Sequence, residues 1–204
     1  MAKQLLGKEV TAALNERIKA DVAKLNEKGI KPTLGIIRVG ERPDDLSYER
    51  GATKRCETLG VECKKYLLPA DVSQEELLKV IDEVNNDDSV HGVLMFRPLP
   101  KHIDEQKVTE AIDYRKDVDG FHPVNAGRLA IGLPCFLSAT PNGILELLAR
   151  YNIDTKGKKC VVLGRSNIVG KPMASLMMQK AYPGDATVTV CHSRSKDLVK
   201  ECQE

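Results

Sequence analysis

The sequence predicts an α/β protein with parallel sheets, built as two lobes. Short apolar segments rich in β-branched residues alternate with segments of helical periodicity, a pattern typical of β–α units whose strands run parallel. TLGIIRV (33–39) is the clearest such strand, and a second series of units begins at Lys159 with CVVLG. With 204 residues, of which 42% are hydrophobic, the chain can bury one substantial core or two small ones.

The first lobe opens with helical spacing that is closed by Gly29 and Pro32. Ser73 and Glu76 form a capping box ahead of an apolar periodic run, which predicts the start of a helix. The predicted elements are, in order, helix 8–27, strand 33–39, helix 46–59, a strand near 61–68, a helix from Ser73, strand 90–96 and a helix around 104–112.

The second lobe follows a loop-rich stretch, 113–137. Thr140 has the features of an N-cap, with Pro141 at the first helical position. We therefore predict a first lobe of residues 1–139 and a second of residues 140–204. After Thr140 the predicted elements are a helix through NGILELLARY, a strand from Lys159, helix 170–180, strand 186–192 and a helix from Ser195.

The second lobe has two predicted strands before Glu204, whereas a dinucleotide-binding half has at least three. This count predicts that the second lobe is incomplete in the chain as given. It also predicts an unpaired edge on the strand ATVTVCH, which is an aggregation hazard.

Composition excludes several classes of protein. The 31 basic and 29 acidic side chains are dispersed, so no patch predicts a nucleic-acid or membrane partner. The six cysteines form no CxxC pair, and the histidines have no metal-ligand spacing, so we expect reduced thiols and no metal. The first residues lack a signal-peptide core, and no segment is long enough to span a membrane. These features predict a cytoplasmic protein.

The turn VLGRSNIVGKP (162–172) resembles a phosphate-binding loop but fits neither common motif. Five residues separate Gly164 from Gly170, and Pro172 follows Lys171 where a P-loop has Ser or Thr. The dinucleotide fingerprint also fails, because Arg165 and Ser166 stand where glycine should recur. The turn nevertheless joins a strand to a helix, whose N-terminal N–H groups we expect to be exposed to a phosphate. An ordinary packing turn is the alternative.

The end of the following strand indicates which dinucleotide is bound. NAD-binding lobes place an acid at this point to accept hydrogen bonds from the ribose. Here the strand ends in His192, Ser193 and Arg194. Arg165, Ser193 and Arg194 are suited to a 2′-phosphate, so the sequence favours NADP, with NAD as the alternative.

Several segments together resemble the methylenetetrahydrofolate dehydrogenase/methenyltetrahydrofolate cyclohydrolase family. They are VLGRSNIVGKPMASLM, ATVTVCHSRS, KDVDGFHPVNAGRL, HGVLMFRPLP and TPNGILELL, and the resemblance extends from the first helix to the last residue. It implies two α/β lobes, with folate on the first and NADP on a Rossmann-like second lobe, and a homodimer. It also implies oxidation of 5,10-methylenetetrahydrofolate and then hydration of the methenyl product to 10-formyltetrahydrofolate.

The resemblance also implies the site residues. Tyr48 matches the family tyrosine that packs on the folate and positions the reacting groups, and Asp119 matches the carboxylate that contacts the pterin. We expect both to be catalytic and to bind substrate. The remaining implied contacts are Pro98, Leu99 and Pro100 for substrate, and Gly164, Arg165, Ser166, Gly170, Ser193 and Arg194 for cofactor.

Four positions depart from the family pattern. Ala52 replaces a lysine that acts in hydration, and Phe96 replaces the glutamine that bonds to that lysine. Ser138-Ala139 replaces Pro-Cys, a change that we expect to affect packing. Residue 52 lies one turn beyond Tyr48, about 6 Å along the helix. Hydration needs a titratable group to activate water, whereas hydride transfer needs mainly positioning. We therefore expect hydration to be weakened while oxidation survives.

Two other functions remain open at this point. The first lobe has the residues to bind folate by itself, so an inactive folate-binding or dimerising fragment is the main alternative. An amino-acid or shikimate-type dehydrogenase shares the two-lobe plan, but it does not explain KDVDGF together with HGVLMFRPLP.

Overall fold

The computed structural model describes residues 4–203, which fold into two compact units. The N-terminal unit is Thr11–Val118, and the C-terminal unit consists of the described residues of Met1–Val10 and Asp119–Glu204. The predicted lobe boundary at residue 139 stays a prediction.

The N-terminal unit alternates helices with parallel strands. Its elements are α1 (Gly7–Glu27, which begins in the other unit), β1 (Thr33–Val39), α2 (Pro43–Leu59), β2 (Glu62–Leu68), α3 (Gln74–Asn86), β3 (Gly92–Met95) and α4 (Glu105–Ala111). The strand order is β2-β1-β3, and Ile36 of β1 lies opposite Lys65 of β2 and Leu94 of β3. The predicted parallel α/β fold is confirmed.

The hydrophobic core of this unit lies on one face of the sheet. Ile37 and Val39 of β1 pack there with Leu77, Ile81 and Val84 of α3. Because successive strand residues point to opposite faces, Ile36 and Arg38 project to the other face, which is covered by α2. This arrangement separates an apolar layer from a layer that includes charged groups.

The C-terminal unit contains a parallel pair of strands. Its elements are α5 (Pro123–Ala130), α6 (Ala139–Arg150), β4 (Lys159–Leu163), α7 (Gly170–Met178), β5 (Thr187–Cys191) and α8 (Leu198–Gln203). Val162 opposes Val190, and Val162 also packs with Met173 and Met177 of α7 in a small apolar cluster.

Several predicted boundaries are confirmed. Strand β1 has the predicted bounds, and the capping box at the start of α3 is present: the N–H of Glu76 donates to Oγ of Ser73 at 3.2 Å, and the N–H of Ser73 donates to the Glu76 carboxylate at 3.2 Å.

Two predictions of local structure are wrong, and one helix was not predicted. The loop-rich stretch 113–137 also contains α5, with Pro123 at its first position and the His122 ring as acceptor for the N–H of Val124. Helix α6 begins at Ala139 with Ser138 as N-cap, rather than being capped by Thr140. Helix α8 begins at Leu198, because the hydroxyl and N–H of Ser195 bond to the backbone of His192 in a turn.

Between residues 4 and 203, no helix is both long and apolar enough to cross a membrane.

Candidate functional site

Tyr48 stands on α2 at the carboxyl ends of the parallel strands, where ligands bind in open α/β sheets. The side chain is 60% exposed, and its ring meets that of Phe96 edge to face, with centroids 5.3 Å apart. Phe96 follows β3, is 6% exposed and donates its N–H to the carbonyl of Ile37 at 3.0 Å. The Tyr48 ring therefore rests on a fixed aromatic support and leaves its other side open.

The loop 97–100 follows Phe96 and carries the other predicted substrate contacts of this unit. Leu99 is 9% exposed and belongs to the hydrophobic core, so its side chain anchors the loop, while Pro98 is exposed and Pro100 half-buried. Arg42, the N-cap of α2, donates to the Pro98 carbonyl at 3.4 Å and to Asp45 at 3.2 Å. The start of α2 is thus tied to this loop.

Ala52 lies one turn beyond Tyr48 on α2 and is half-buried. Its methyl group offers no titratable or hydrogen-bonding atom. Lys54 is exposed two positions on, at a different angle around the helix, and Arg55 is half-buried at the seventh position after Tyr48. An arginine is not a base at ordinary pH, so it does not substitute for a lysine at position 52.

A partly buried ionic cluster beside Tyr48 was not predicted from the sequence. Glu49 is 8% exposed; Oε2 accepts from Nε of Arg38 at 2.7 Å and Oε1 pairs with Nζ of Lys65 at 3.0 Å. Burial opposes the charged carboxylate, but the hydrogen bonds from Arg38 and Lys65 outweigh it and hold the pKa of Glu49 below its ordinary value. The sequence signal was Arg38 itself, a charge inside an otherwise apolar strand.

Asp119 belongs to the C-terminal unit and lies in a turn, half-buried, directly before Gly120. Gly120 has φ of +67°, and a Cβ there would lie 2.7 Å from the Phe136 carbonyl oxygen. Glycine is therefore required after Asp119, since any side chain would be both strained and too close to this backbone. The KDVDG motif thus includes the residue that lets the turn form.

The loop between β4 and α7 closes tightly on itself. Gly164 has φ of +122°, and a Cβ on Gly170 would lie 2.6 Å from the carbonyl carbon of Gly164 and 2.8 Å from Cα of Arg165. The side chains of Arg165 and Ser166 are exposed at the top of this turn. An exposed cationic side chain on this turn, such as that of Arg165, suits a phosphate group.

The first N–H groups of α7 are not directed at a ligand, contrary to the sequence-based expectation. The Ser166 hydroxyl accepts from the N–H groups of Val169 at 3.1 Å and Gly170 at 3.3 Å, and the Ser166 carbonyl accepts from that of Lys171 at 3.0 Å. Ser166 thus caps the helix. A phosphate at this turn would be held mainly by the loop before the helix and by Arg165.

Ser193 and Arg194 lie in the turn after β5, and both are exposed. The N–H of Arg194 donates to Nδ1 of His192 at 3.2 Å, which holds the turn in shape. No acidic residue occupies this turn. Arg165 and Arg194 thus both follow the carboxyl ends of the two paired strands.

A groove of about 660 Å³ runs along β4 and reaches the loop 164–170. Gly164, Arg165, Ser166 and Gly170 line it together with Val162 and Met173, whereas Ser193 and Arg194 do not. The structure therefore brings four of the six predicted cofactor residues to one cavity. Among the described residues, no group of three or more His, Cys, Asp or Glu side chains is placed to hold a metal.

In comparisons with known proteins, two models of one family match separate parts of the chain. The family model described as tetrahydrofolate dehydrogenase/cyclohydrolase, catalytic domain, matches residues 5–119, and the model for the NAD(P)-binding domain of the same family matches residues 138–204. A relative named bifunctional protein FolD, from Bacteroides thetaiotaomicron, is 63% identical over 199 residues, which make up 97% of this chain and 68% of that protein.

Solved structures give the same result. The bifunctional FolD methylenetetrahydrofolate dehydrogenase/cyclohydrolase of Campylobacter jejuni matches with a TM-score of 0.91 and 45% identity, over 95% of this chain and 68% of that one. A Trypanosoma brucei methylenetetrahydrofolate dehydrogenase-cyclohydrolase, complexed with NADP cofactor and inhibitor, matches with a TM-score of 0.87 and 34% identity, over 95% of this chain and 65% of that one.

Proposed function

The chain belongs to the tetrahydrofolate dehydrogenase/cyclohydrolase family, and on this premise we propose that it oxidises 5,10-methylenetetrahydrofolate to 5,10-methenyltetrahydrofolate, with NADP preferred over NAD. The observation that carries the proposal is Tyr48, exposed on one side, supported by Phe96 on the other and standing beside the loop 97–100. This is an open aromatic surface at the end of the sheet where a planar ligand can stack.

The folate contacts follow from residue chemistry. The Tyr48 ring offers a stacking face and its hydroxyl a hydrogen bond to the reacting part of the folate. Asp119 is proposed as the pterin contact, since a carboxylate accepts two parallel hydrogen bonds from an amino group and a ring N–H. Pro98 and Pro100 shape the wall of the pocket, and the buried Leu99 holds them in place.

Hydride transfer does not require any side chain of the protein to form a covalent bond. The C–H bond of the one-carbon bridge breaks, its electron pair leaves with the hydrogen for the nicotinamide ring, and the methenyl cation remains. The bound nicotinamide supplies the hydride acceptor. The residues of this chain contribute by holding the folate and excluding competing orientations.

The preference for NADP rests on the C-terminal unit. Gly164, Arg165, Ser166 and Gly170 line one groove, and Arg165 and Arg194, which follow the two paired strands, are both exposed. Replacing Arg194 by serine should raise KM for NADP by roughly 10-fold or more and leave KM for NAD unchanged, since a charge-assisted bond to phosphate is lost. The exposed Lys196→Ser variant is the matched control. Equal effects on both cofactors would contradict the preference.

We further propose that hydration of the methenyl product is weak. Ala52 supplies no group that can activate water. The Phe96 ring contacts the ring of Tyr48 and has no atom that could accept a hydrogen bond from residue 52. Both partners of the polar pair are replaced by apolar residues, so neither position 52 nor position 96 has a side-chain polar group that needs a partner.

Restoring both residues tests this proposal. The double variant Ala52→Lys, Phe96→Gln should hydrate methenyltetrahydrofolate faster than the parent chain, whereas Ala52→Lys alone should gain little because its ammonium lacks an acceptor. Gly51→Lys is the control, since it adds the same charge at a neighbouring exposed position with open space around it. A normal hydration rate in the parent chain would overturn the proposal.

Oxidation itself is tested by following reduced cofactor and methenyl absorbance with 5,10-methylenetetrahydrofolate and either dinucleotide, with folate binding by calorimetry alongside. Reduction with stoichiometric methenyl formation is the expected result. Folate binding without reduction would favour the alternative function, a folate-binding chain that transfers no hydride. If the chain neither binds folate nor reduces the cofactor, both functions are rejected.

Cellular location and assembly are proposed as well. All six cysteines are free thiols, the state expected in the cytoplasm. We propose a cytoplasmic homodimer, which sedimentation equilibrium of the purified chain tests directly.

A further inference from the structure

The buried face of α2 is polar rather than apolar. Its buried residues are Asp45, Glu49 and Leu59, and two of these three are carboxylates. Within residues 4–203, the main hydrophobic core of the N-terminal unit includes no residue of α2. The two buried carboxylates give this helix directional polar contacts.

Glu49 makes the most closely defined of these contacts. Its two carboxylate oxygens engage different strands: Oε2 meets Nε of Arg38 on β1 at 2.7 Å, and Oε1 meets Nζ of Lys65 on β2 at 3.0 Å. The Arg38 side chain is 4% exposed and also donates to the carbonyl of Gly40, in the turn that leads into α2. One carboxylate thus fixes the helix against two strands and against its own entry turn.

The direction of these contacts fixes the rotation of α2 about its axis. Tyr48 precedes Glu49 directly, so the two side chains leave the helix about 100° apart and turn together. A rotation of roughly 10° moves a group about 6 Å from the axis by about 1 Å. A displacement of that size at a reacting centre costs about 100-fold in rate.

Stability alone is a weak reason for this cluster. A buried ion pair loses so much hydration that apolar residues of similar size often serve as well or better. An apolar face would hold α2 against the sheet but would tolerate small rotations, because hydrophobic contact has no preferred direction. The chain instead places two cations and one carboxylate there.

We propose that Glu49 is a positioning residue: clamped between Arg38 and Lys65, it fixes the rotation of α2 and holds Tyr48 against Phe96 in the orientation that the folate requires. The geometric part of the proposal, that Glu49 fixes the orientation of Tyr48, concerns the chain without any ligand. Its consequence for catalysis rests on the function proposed above.

The geometric part is tested by NMR on the full chain with 13C-labelled tyrosine rings and no ligand. The Tyr48 signal is assigned by its loss in Tyr48→Phe. In Glu49→Gln, which keeps the shape and removes the charge, the Tyr48 ring signals should shift while those of Tyr114, Tyr151 and Tyr182 stay in place. The exposed Glu57→Gln on the same helix is the control and should leave Tyr48 unchanged.

A folded Glu49→Gln chain with unshifted Tyr48 signals would overturn the proposal. If Glu49→Gln does not fold, Lys65→Met serves in its place, because it removes one of the two contacts and keeps the pair between Arg38 and Glu49. It should shift the Tyr48 signals in the same direction, and unshifted signals would again overturn the proposal.

The catalytic part is tested by a double-mutant cycle in the dehydrogenase assay. Glu49→Gln should lower kcat by roughly 10- to 100-fold with KM for the dinucleotide unchanged. In the Tyr48→Phe background the same change should cost less than about 3-fold, because the hydroxyl that it misplaces is already absent. Equal losses in both backgrounds would show that Glu49 acts independently of Tyr48.

The two experiments separate the two proposals. A Tyr48 shift without any dehydrogenase activity in the parent chain would support the positioning role and reject the proposed function. Dehydrogenase activity in the parent chain, together with unshifted Tyr48 signals in Glu49→Gln, would support the proposed function and reject the positioning role.

Discussion

Helices α2 and α3 cover opposite faces of the same sheet and are held there by different interactions. Leu77, Ile81 and Val84 of α3 are at most 1% exposed and lie in the hydrophobic core. Helix α2 buries two carboxylates instead, and Glu49 bonds to both β1 and β2. The helix that carries Tyr48 is the one held by charged groups.

The difference separates stability from positioning. Burial of apolar area contributes most to the free energy of folding, but it does not depend on direction. Hydrogen-bonded ion pairs contribute less net stability and impose a geometry. In this unit α3 supplies the first kind of contact and α2 the second, on either side of one sheet.

The largest expected effect is the loss of stability caused by a substitution in α3. Ile81→Ala should lower the free energy of unfolding by about 2–5 kcal/mol, because it leaves a cavity in a fully buried layer. Urea denaturation measures the loss. Because α3 carries no proposed site residue, kcat of the chain that remains folded should be unchanged. A loss below about 1 kcal/mol would contradict the assignment of the main core to this face.

A smaller loss of stability is expected on α2. Glu49→Ala should cost about 1–3 kcal/mol, because the Arg38 guanidinium loses a buried acceptor. Replacing Arg38 and Glu49 together by methionine should recover most of that stability but not the activity. If the double variant recovered both in denaturation and dehydrogenase assays, the distinction between the two helices would fail.

The two helices also differ at their N-termini, and there we expect a difference of about 1 kcal/mol in the free energy of unfolding. Ser73 caps α3 through its hydroxyl, whereas Arg42 at the start of α2 makes no side-chain capping bond. Ser73→Ala should therefore cost about 0.5–2 kcal/mol. Arg42→Ala should cost less stability and should mainly affect KM for folate, through the loop at Pro98. A larger loss of thermal stability in Arg42→Ala than in Ser73→Ala, with KM for folate raised in Ser73→Ala instead, would contradict this difference.

The smallest effect is the pH dependence of the α2 contact. The folded-state pKa of Glu49 lies below its ordinary value of 4.5, so the ionised pair stabilises the fold above pH 4.5. That contribution is lost as pH falls through the folded-state pKa. The stability difference between the parent chain and Glu49→Gln should thus be full at neutral pH and shrink below 4.5. A difference independent of pH would argue against an ionised Glu49.

Local patterns in the sequence predicted much of this fold. The strand at 33–39 and the capping box at Ser73 depend on neighbouring residues, and both were correctly placed. Helix α5 was missed because its eight residues, Pro123–Ala130, give too short a periodic signal inside a stretch rich in turn residues. The start of α6 was misplaced by two residues because Thr140 is a strong capping type, although Ser138 has the cap position.

The site was only partly readable from the sequence. Tyr48 lies in a segment that resembles a family motif, but the partner of its ring, Phe96, is 48 positions away in the chain. Arg38 was included in an apolar strand without a partner being assigned, since its acceptor lies on the next helix. The role of Ser166 as a cap of α7 depends on a turn geometry that spacing does not encode. Contacts across elements were beyond sequence analysis in each case.

We propose that this chain oxidises 5,10-methylenetetrahydrofolate and hydrates the methenyl product poorly. The most direct measurement follows reduced dinucleotide, methenyl and formyl species together in one reaction mixture of the parent chain. We predict that methenyltetrahydrofolate accumulates in step with reduced cofactor and that 10-formyltetrahydrofolate forms much more slowly than the cofactor is reduced. Formyl product that keeps pace with cofactor reduction would contradict the account.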